Sequence, residues 1–291
     1  MNESARPAQR RGRKQRSTGF VVLITMLIAL VLVGATVLGL FLAGWRYIKL
    51  NFDDGSFVKF LGRVDSTGTL SKGNLYYSDG SSAEVDMANK KITYSNGNVY
   101  EGTLSGLRRH GQGKMTYASG DVYEGNFTND EIDGYGTFKF ANGDSYTGNL
   151  KNGKMDGEGS YTWSDGSVYI GSFADDMKNG YGKYIWADGS SYEGYYVNDL
   201  KHGSGTYILT NGDTYVGDFK KDMRSGKGVY TWQNGDVYDG EFVDNKINGW
   251  GTYTWAGGRQ FTGLWENGKI VVTQTDDTST DSPEPDPEPT E

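Results

Sequence analysis

From Tyr100 to Gln260 the apolar and polar positions repeat with a period of 23 residues, seven times, without an inserted or deleted residue. In the unit Tyr123 to Ser145 the pattern opens as Tyr123-Glu124-Gly125-Asn126-Phe127 and crosses polar residues from Asn129 to Asp133. It returns as Gly134-Tyr135-Gly136-Thr137-Phe138-Lys139-Phe140 and ends on Asn142-Gly143. Alternation with a period of two marks strands, and turn formers between the runs make each unit one β-hairpin. A strict period of this length predicts a stacked repeat array, in which each unit buries its apolar face only with its neighbours.

Asn142-Gly143, Asp165-Gly166, Asp188-Gly189, Asn211-Gly212 and Asn234-Gly235 stand in one phase, with Ser119-Gly120 and Gly257-Gly258 beside them. These pairs predict two-residue type I′ turns, with positive φ at both central residues, joining one repeat to the next. The stretches inside each repeat, such as Asn129 to Asp133, Asp175 to Asn179 and Asn198 to His202, read as longer and variable turns. Alternation places Tyr123, Gly125 and Phe127 on one face, with Gly134, Gly136, Phe138 and Phe140 beside them on the partner strand. That face holds aromatics and glycines alone. Glycine weakens a strand unless the space is used, so the glycines are expected to seat neighbouring rings. The structural set is Gly125, Gly134, Gly136, Gly148, Gly157, Gly159, Gly171, Gly180 and Gly182. The pairs Tyr161/Trp163, Tyr184/Trp186, Tyr230/Trp232 and Tyr253/Trp255 then form a candidate aromatic groove. The opposite face, with Glu124, Asn126, Thr137 and Lys139, is expected to be polar and wet.

These units resemble the MORN repeat family (membrane occupation and recognition nexus): Tyr-x-Gly-x-Phe, a turn, Gly-x-Gly-x-x-x-Tyr/Trp, then an Asn/Asp-Gly turn. The resemblance covers more than half of the chain. It implies an all-β fold, an elongated, twisted, single-layer antiparallel sheet of stacked hairpins. It also implies a role in protein interaction or dimerisation, here in a membrane-anchored protein of bacterial type. The same repeats are appended to phosphatidylinositol-phosphate kinases of plants and to a histone lysine methyltransferase, whose catalytic domains are separate.

Outside the array, residues 1–18 carry six bases against the single acid Glu3, and no charge occurs from Gly19 to Gly44. The apolar run, residues 19–44, is long enough to cross a bilayer as one helix. Trp45 and Tyr47 follow as interfacial aromatics, and the basic flank predicts a cytoplasmic N-terminus with the remainder exported. The run exceeds the apolar core of a cleaved signal peptide, so an uncleaved signal anchor in the plasma membrane is expected. Ala35, Gly39 and Ala43 fall four apart on one helix face, a small-xxx-small pattern that lets two such helices approach closely, although small residues are common enough in membrane spans that chance accounts for it better. Residues 46–99 fit the repeat in degenerate form, through Phe60, Gly62, Gly73, Leu75 and Gly80 and then Tyr94 with Asn96-Gly97, as a cap on the array over 100–272. Phe261 to Trp265 open an eighth unit. Residues 273–291 carry seven acids, no base and alternating prolines, a composition that builds no core.

The chain has no cysteine and a net charge of −8; beyond residue 44 there are 23 basic and 36 acidic residues, net −13. That balance argues against nucleic acid and anionic lipid as partners, although Arg108-Arg109 and Lys220-Lys221 are local bases. Candidate chemistry is sparse. His110 and His202, the two histidines, occupy the same repeat position four units apart and read as turn residues. Gly148 to Met155 mimics a P-loop but has Met where a hydroxyl must hold magnesium, and it lacks the helix. Asn129, Glu131 and Asp133 begin like a calcium loop, but the twelfth position is Phe140. Asp130-Glu131 and Asp175-Asp176 read as solvated turn acids. No cofactor or metal and no catalytic residue is expected. The expectation is a non-enzymatic membrane-anchored scaffold with a protein partner, either another protein or a second copy of this chain. One alternative is a cell-envelope glycan binder that uses the groove rings. Another is a lipid-associated repeat protein that shares its repeats with phosphatidylinositol-phosphate kinases but has no kinase activity.

Overall fold

The computed structural model describes residues 18–271; apart from Thr18, the expectations for the basic N-terminus and for the tail at 273–291 lie outside them. The chain divides between Ala88 and Asn89 into two compact units.

The first unit begins with helix α1, Thr18–Leu42. It has no charged residue, and its described side chains, from Val22 onward, are exposed, as a segment that needs an apolar solvent must leave them. Its stretch Val22–Leu42 is long and apolar enough to span a membrane. The helix stops at Leu42, short of the expected Gly44, because Gly44 takes φ +83° and its N–H donates to the Phe41 carbonyl at 3.1 Å. The Arg46 guanidinium closes the same end, donating to the Phe41 carbonyl at 2.7 Å and lying 3.8 Å over the Phe41 ring. Strands β1 (Trp45–Asn51), β2 (Phe57–Val64), β3 (Leu70–Tyr77) and β4 (Ser82–Asp86) follow, each antiparallel to the one before. Phe60 and Leu75, both fully buried, form the centre of this unit. The Phe60 ring occupies the space where a side chain on Gly62 or Gly73 would stand.

The second unit runs from β5 (Lys91–Tyr94) to β21 (Lys269–Ile270) as a single-layer meander. Seven-residue strands such as β8 (Val122–Thr128) alternate with nine-residue strands such as β9 (Glu131–Lys139). The turns are distributed otherwise than the sequence suggests. The type I′ geometry lies inside the repeat: Asn129 and Asp130 have φ of 51° and 76°, and Thr128 pairs directly with Glu131. At Asn142-Gly143 only the glycine is positive, at φ +96°, and its N–H donates to the Phe140 carbonyl at 3.0 Å. That is a type I turn closed by a glycine bulge. The length expected in the internal turn lies instead in the strand. Register passes from Gly125↔Gly136 to Phe127↔Ile132, so Asp133, Gly134 and Tyr135 together face Asn126.

This bulge separates the glycines into two kinds. Gly125 and Gly136 are paired across the strands beneath the Tyr123 ring, and the arrangement recurs with Tyr146 over Gly148 and Gly159 and with Tyr169 over Gly171 and Gly182. Gly134, Gly157 and Gly180 have φ near +100° and turn toward Asn126, Asn149 and Ser172 on the other face. They serve the bulge and seat no ring, a correction to their placement beside Gly136. The histidines also move: His110 lies on β7 (Arg108–Thr116) and His202 on β15 (Leu200–Ile208), both exposed, because the tight internal turn leaves their position to the strand.

Each seated tyrosine is buried and returns its hydroxyl to the carbonyl three residues on, as Tyr100 to Thr103 at 2.6 Å and Tyr146 to Asn149 at 2.7 Å. The ring therefore rests on bare backbone while its polar end is satisfied, avoiding a desolvation cost of about 1–3 kcal/mol. Phe127 stands edge-to-face to both Tyr100 (5.1 Å) and Tyr123 (5.3 Å), which joins one repeat to the next. Phe173, Tyr196, Phe219, Phe242 and Trp265 continue the series. Each such pair contributes about 0.5–1.5 kcal/mol beyond its buried area.

A β-carbon on Gly159 would lie 2.5 Å from the Tyr146 ring and hydroxyl, whereas one on Gly257 would meet nothing within 4 Å. Gly159→Ala is therefore expected to destabilise the array by about 1–3 kcal/mol, and Gly257→Ala to stay within about 0.5 kcal/mol. Urea unfolding of the detergent-solubilised chain measures both. Burial pushes the Tyr100, Tyr123 and Tyr238 phenols up to about 12, and Tyr146, Tyr169, Tyr192 and Tyr215 shift the same way. The fold favours the neutral phenol, so this stability is complete below the unfolded value of about 10 and is lost as pH rises toward 12. Circular dichroism should collapse together with the rise in tyrosinate absorbance across that window. Full ionisation with the sheet intact would contradict the seating.

Candidate binding face

Above the seated tyrosines, on the same face, the second aromatic pair of each repeat forms an outer ladder. β11 (Lys154–Thr162) carries Tyr161 with Trp163 just beyond it, and β13 (Met177–Ile185) carries Tyr184 followed by Trp186. Ring centroids step from Tyr161 to Trp163 (4.5 Å), to Tyr184 (4.9 Å), to Trp186 (4.5 Å) and to Tyr207 (5.5 Å). All five rings are half-buried. Phe140, Phe138 and Tyr117 extend the ladder in the other direction. Leu209 occupies the next outer position, and a second run links Tyr230, Trp232, Tyr253 and Trp255 at 4.6–5.3 Å. Tyr230 and Tyr253 are buried there, so in that run the tryptophans provide the accessible surface.

Carboxylates on the inter-repeat turns orient these rings. Asp144 accepts from the Tyr161 hydroxyl and from the Ser164 N–H, both at 2.8 Å. Asp213 and Asp236 do the same for Tyr230 with Gln233 and for Tyr253 with Ala256. The Tyr161 hydroxyl and the Ser164 N–H hold the Asp144 carboxyl below its usual range; burial and that carboxylate raise the Tyr161 phenol. Asp236 is penalised by burial, but the bonds from Tyr253, Ala256 and Asn234 together hold it low. The internal turns are joined in a matching way. Asp176 accepts from the Met155 N–H at 2.8 Å, and its own N–H donates to the Met155 carbonyl at 3.0 Å. Asp130 makes the same exchange with Arg109, and Asp175 pairs with Lys154 at 3.0 Å. Asp130, Asp175 and Asp176 thus link repeats, while Asp175, Asp176 and Glu131 remain exposed as expected of turn acids.

Sequence reasoning missed the cations of this face. One column of the repeat holds Ile132, Met155 and Ile247, but also Arg109, Lys178, Lys201 and Arg224. The Lys178 ammonium lies 5.2 Å from the Tyr184 ring and 5.5 Å from Tyr196, with Asp199 at 3.8 Å. Lys201 lies 4.8 Å from Tyr207, 5.6 Å from Phe219 and 5.8 Å from Trp186 and Tyr192. Burial lowers both lysine pKa values, partly offset by Asp199 and Asp222 respectively. A base standing in an otherwise apolar column was the signal that could have found them.

The opposite face is less polar than expected. Ile170, Tyr181, Tyr195 and Val216 are about half exposed on it, with Tyr181 edge-to-face to Tyr195 at 5.4 Å. An open groove of about 610 Å³ lies among Lys114, Glu124, Asn126, Tyr135 and Lys139. Among the described residues, no group of three or more His, Cys, Asp or Glu side chains could hold a metal ion.

Comparison with curated proteins returns no match. Among solved structures, a chain from the TCP domain of SAS-4 (dCPAP) of Drosophila melanogaster, in complex with a proline-rich motif of Ana2 (dSTIL), is similar at 16% identity. The match covers 70% of this chain and 97% of that one, with a TM-score of 0.28. The MORN repeat pattern matches residues 100–122, 123–145, 146–168, 169–191, 192–214, 215–237 and 238–258. These seven matches are consecutive and span more than half of the chain, the same stretch in which tyrosines sit on paired glycines: the chain belongs to the MORN repeat family.

Proposed function

We infer that the protein is a non-enzymatic, membrane-anchored scaffold whose repeats, outside the cytoplasm, present the aromatic face to a protein partner. The observation that carries this reading is the run of half-buried rings from Tyr117 to Tyr207, preorganised by one another and, at Tyr161, by the Asp144 carboxylate. Rigid aromatic side chains dominate binding energy at protein interfaces because they bury large area at little entropic cost. The outer rings lean on each other at interplanar angles of 34° and 47°, as Trp163 does with Tyr184 and Tyr161. Neighbours thus cover part of the ring faces that a sugar would stack on, which favours a peptide chain over a glycan. Anchoring rests on α1, and the orientation rests on the six bases of residues 1–18.

Two outcomes are expected. With separate tags at the two ends, external protease on intact cells or spheroplasts should remove the C-terminal tag and spare the N-terminal one. A protected C-terminal tag would reverse the orientation and direct the search to cytoplasmic partners and inner-leaflet lipid. Trp163→Ala with Trp186→Ala should abolish cross-linking to the partner captured by the wild-type chain, each ring being worth about 2 kcal/mol to binding, while circular dichroism shows the sheet still folded, though less stable for the ring contacts that the two tryptophans lose. Undiminished capture would remove the aromatic face from the reading.

A further inference from the structure

The Lys201 ammonium is the least satisfied charge on the aromatic face. Four rings surround it at 4.8–5.8 Å, and it makes no side-chain hydrogen bond or ion pair among the described residues. Asp222, the carboxylate whose charge acts on it, instead directs Oδ1 to the Lys201 main-chain N–H at 2.9 Å. Ring faces attract a cation but leave its N–H groups without a lone pair, so a carboxylate arriving from solvent would complete the site. On the adjoining repeat Lys178 repeats the arrangement with Asp199 at 3.8 Å, and the accessible rings of Trp186 and Trp163 lie beside both lysines. The surface thus suits an extended chain that alternates compact apolar rings with carboxylates.

Such a chain follows Val271. Residues 272–291 hold seven acids and no base, with Pro283, Glu284, Pro285, Asp286 and Pro287 in strict alternation. Val271 lies at strand β20 (Gln260–Glu266), its N–H bonded to the Leu264 carbonyl at 2.9 Å. At about 4.8 Å per strand, Lys201 is about 24 Å and Lys178 about 34 Å back along the sheet from β20. A chain that advances about 3.1 Å per residue would carry Asp281 up to about 31 Å from Val271 and Asp286 up to about 47 Å. The acids and prolines therefore span both lysines with slack. Proline-rich segments bind aromatic-lined grooves because little chain entropy is left to lose, and the tether holds this one at a millimolar effective concentration.

We propose that residues 272–291 dock in cis on the aromatic face of their own chain, with prolines against Trp186 and Trp163 and carboxylates on Lys201 and Lys178, covering the face until a partner displaces them. This rests on the reading of that face as a binding surface and adds its regulation.

The test compares the full chain with one ending at Val271, both in detergent micelles, using a synthetic peptide of residues 272–291 as the probe and tryptophan emission as the readout. The shortened chain should bind the peptide with a change in emission, and the full chain about tenfold more weakly because its own tail competes. Lys201→Met in the shortened chain should weaken the peptide about five- to tenfold. Methionine already occupies this column at Met155, so the fold should tolerate it. Absence of binding to the shortened chain, or equal binding to both chains, would overturn the proposal. Masking that grows with protein concentration would assign the tail to another copy and overturn docking in cis. If the shortened chain ignores the peptide but still cross-links its partner through Trp163 and Trp186, only the docked tail fails; if it does neither, the scaffold reading fails as well.

Discussion

A tyrosine ring lying on two facing glycines is the contact on which the repeat array depends. Tyr146 covers Gly148 and Gly159, and a β-carbon on either would stand 2.5 Å from the Tyr146 hydroxyl, closer than packing allows. A single sheet has no second layer to bury its apolar face, so the array makes its core by folding side chains flat onto its own backbone. Everything else follows from that flatness: the hydroxyl must find a nearby carbonyl, the next aromatic must stand on edge, and the outer rings must remain partly exposed. The same device appears before Ala88 with phenylalanine in place of tyrosine, where Phe60 lies against Gly62 and Gly73.

Much of this was legible because periodicity reports which positions share a chemical role. Tyr123, Gly125 and Gly136 recur too regularly to be surface variation, and the hairpins follow from two-residue alternation. Turn geometry was less legible. Asn142-Gly143 resembles a type I′ turn by composition, yet the positive pair is Asn129-Asp130, since Asn and Asp also tolerate left-handed backbone and here gain cross-repeat bonds. The bulge at Gly134 was hidden for a related reason: glycine marks both a seat and a positive φ, and only register tells them apart.

The candidate site divides in the same way. Trp163 and Trp186 could be read from their recurrence, whereas Lys178 and Lys201 showed only as bases in a column shared with Ile132, Met155 and Ile247, a weaker signal because a lysine in a strand is ordinarily solvated. Structure gives them a different character, since four rings around each ammonium replace water with a weaker, non-directional attraction. Charge on this face is local even though the chain is acidic as a whole, so overall charge says little about what the face accepts.

The exclusively neighbouring contacts of the second unit bear on how it comes to be folded. The hairpins pair in sequence order, and even a ring contact such as Tyr100 with Phe127 joins residues little more than one repeat apart. No strand waits for a distant partner, so loop closure costs little and order can spread along the chain. A polypeptide emerging end-first, from a ribosome or through a membrane pore, could lock each hairpin as it clears the exit. Each seated tyrosine would then act as the pawl of a ratchet, opposing backward sliding without any energy source but the fold itself.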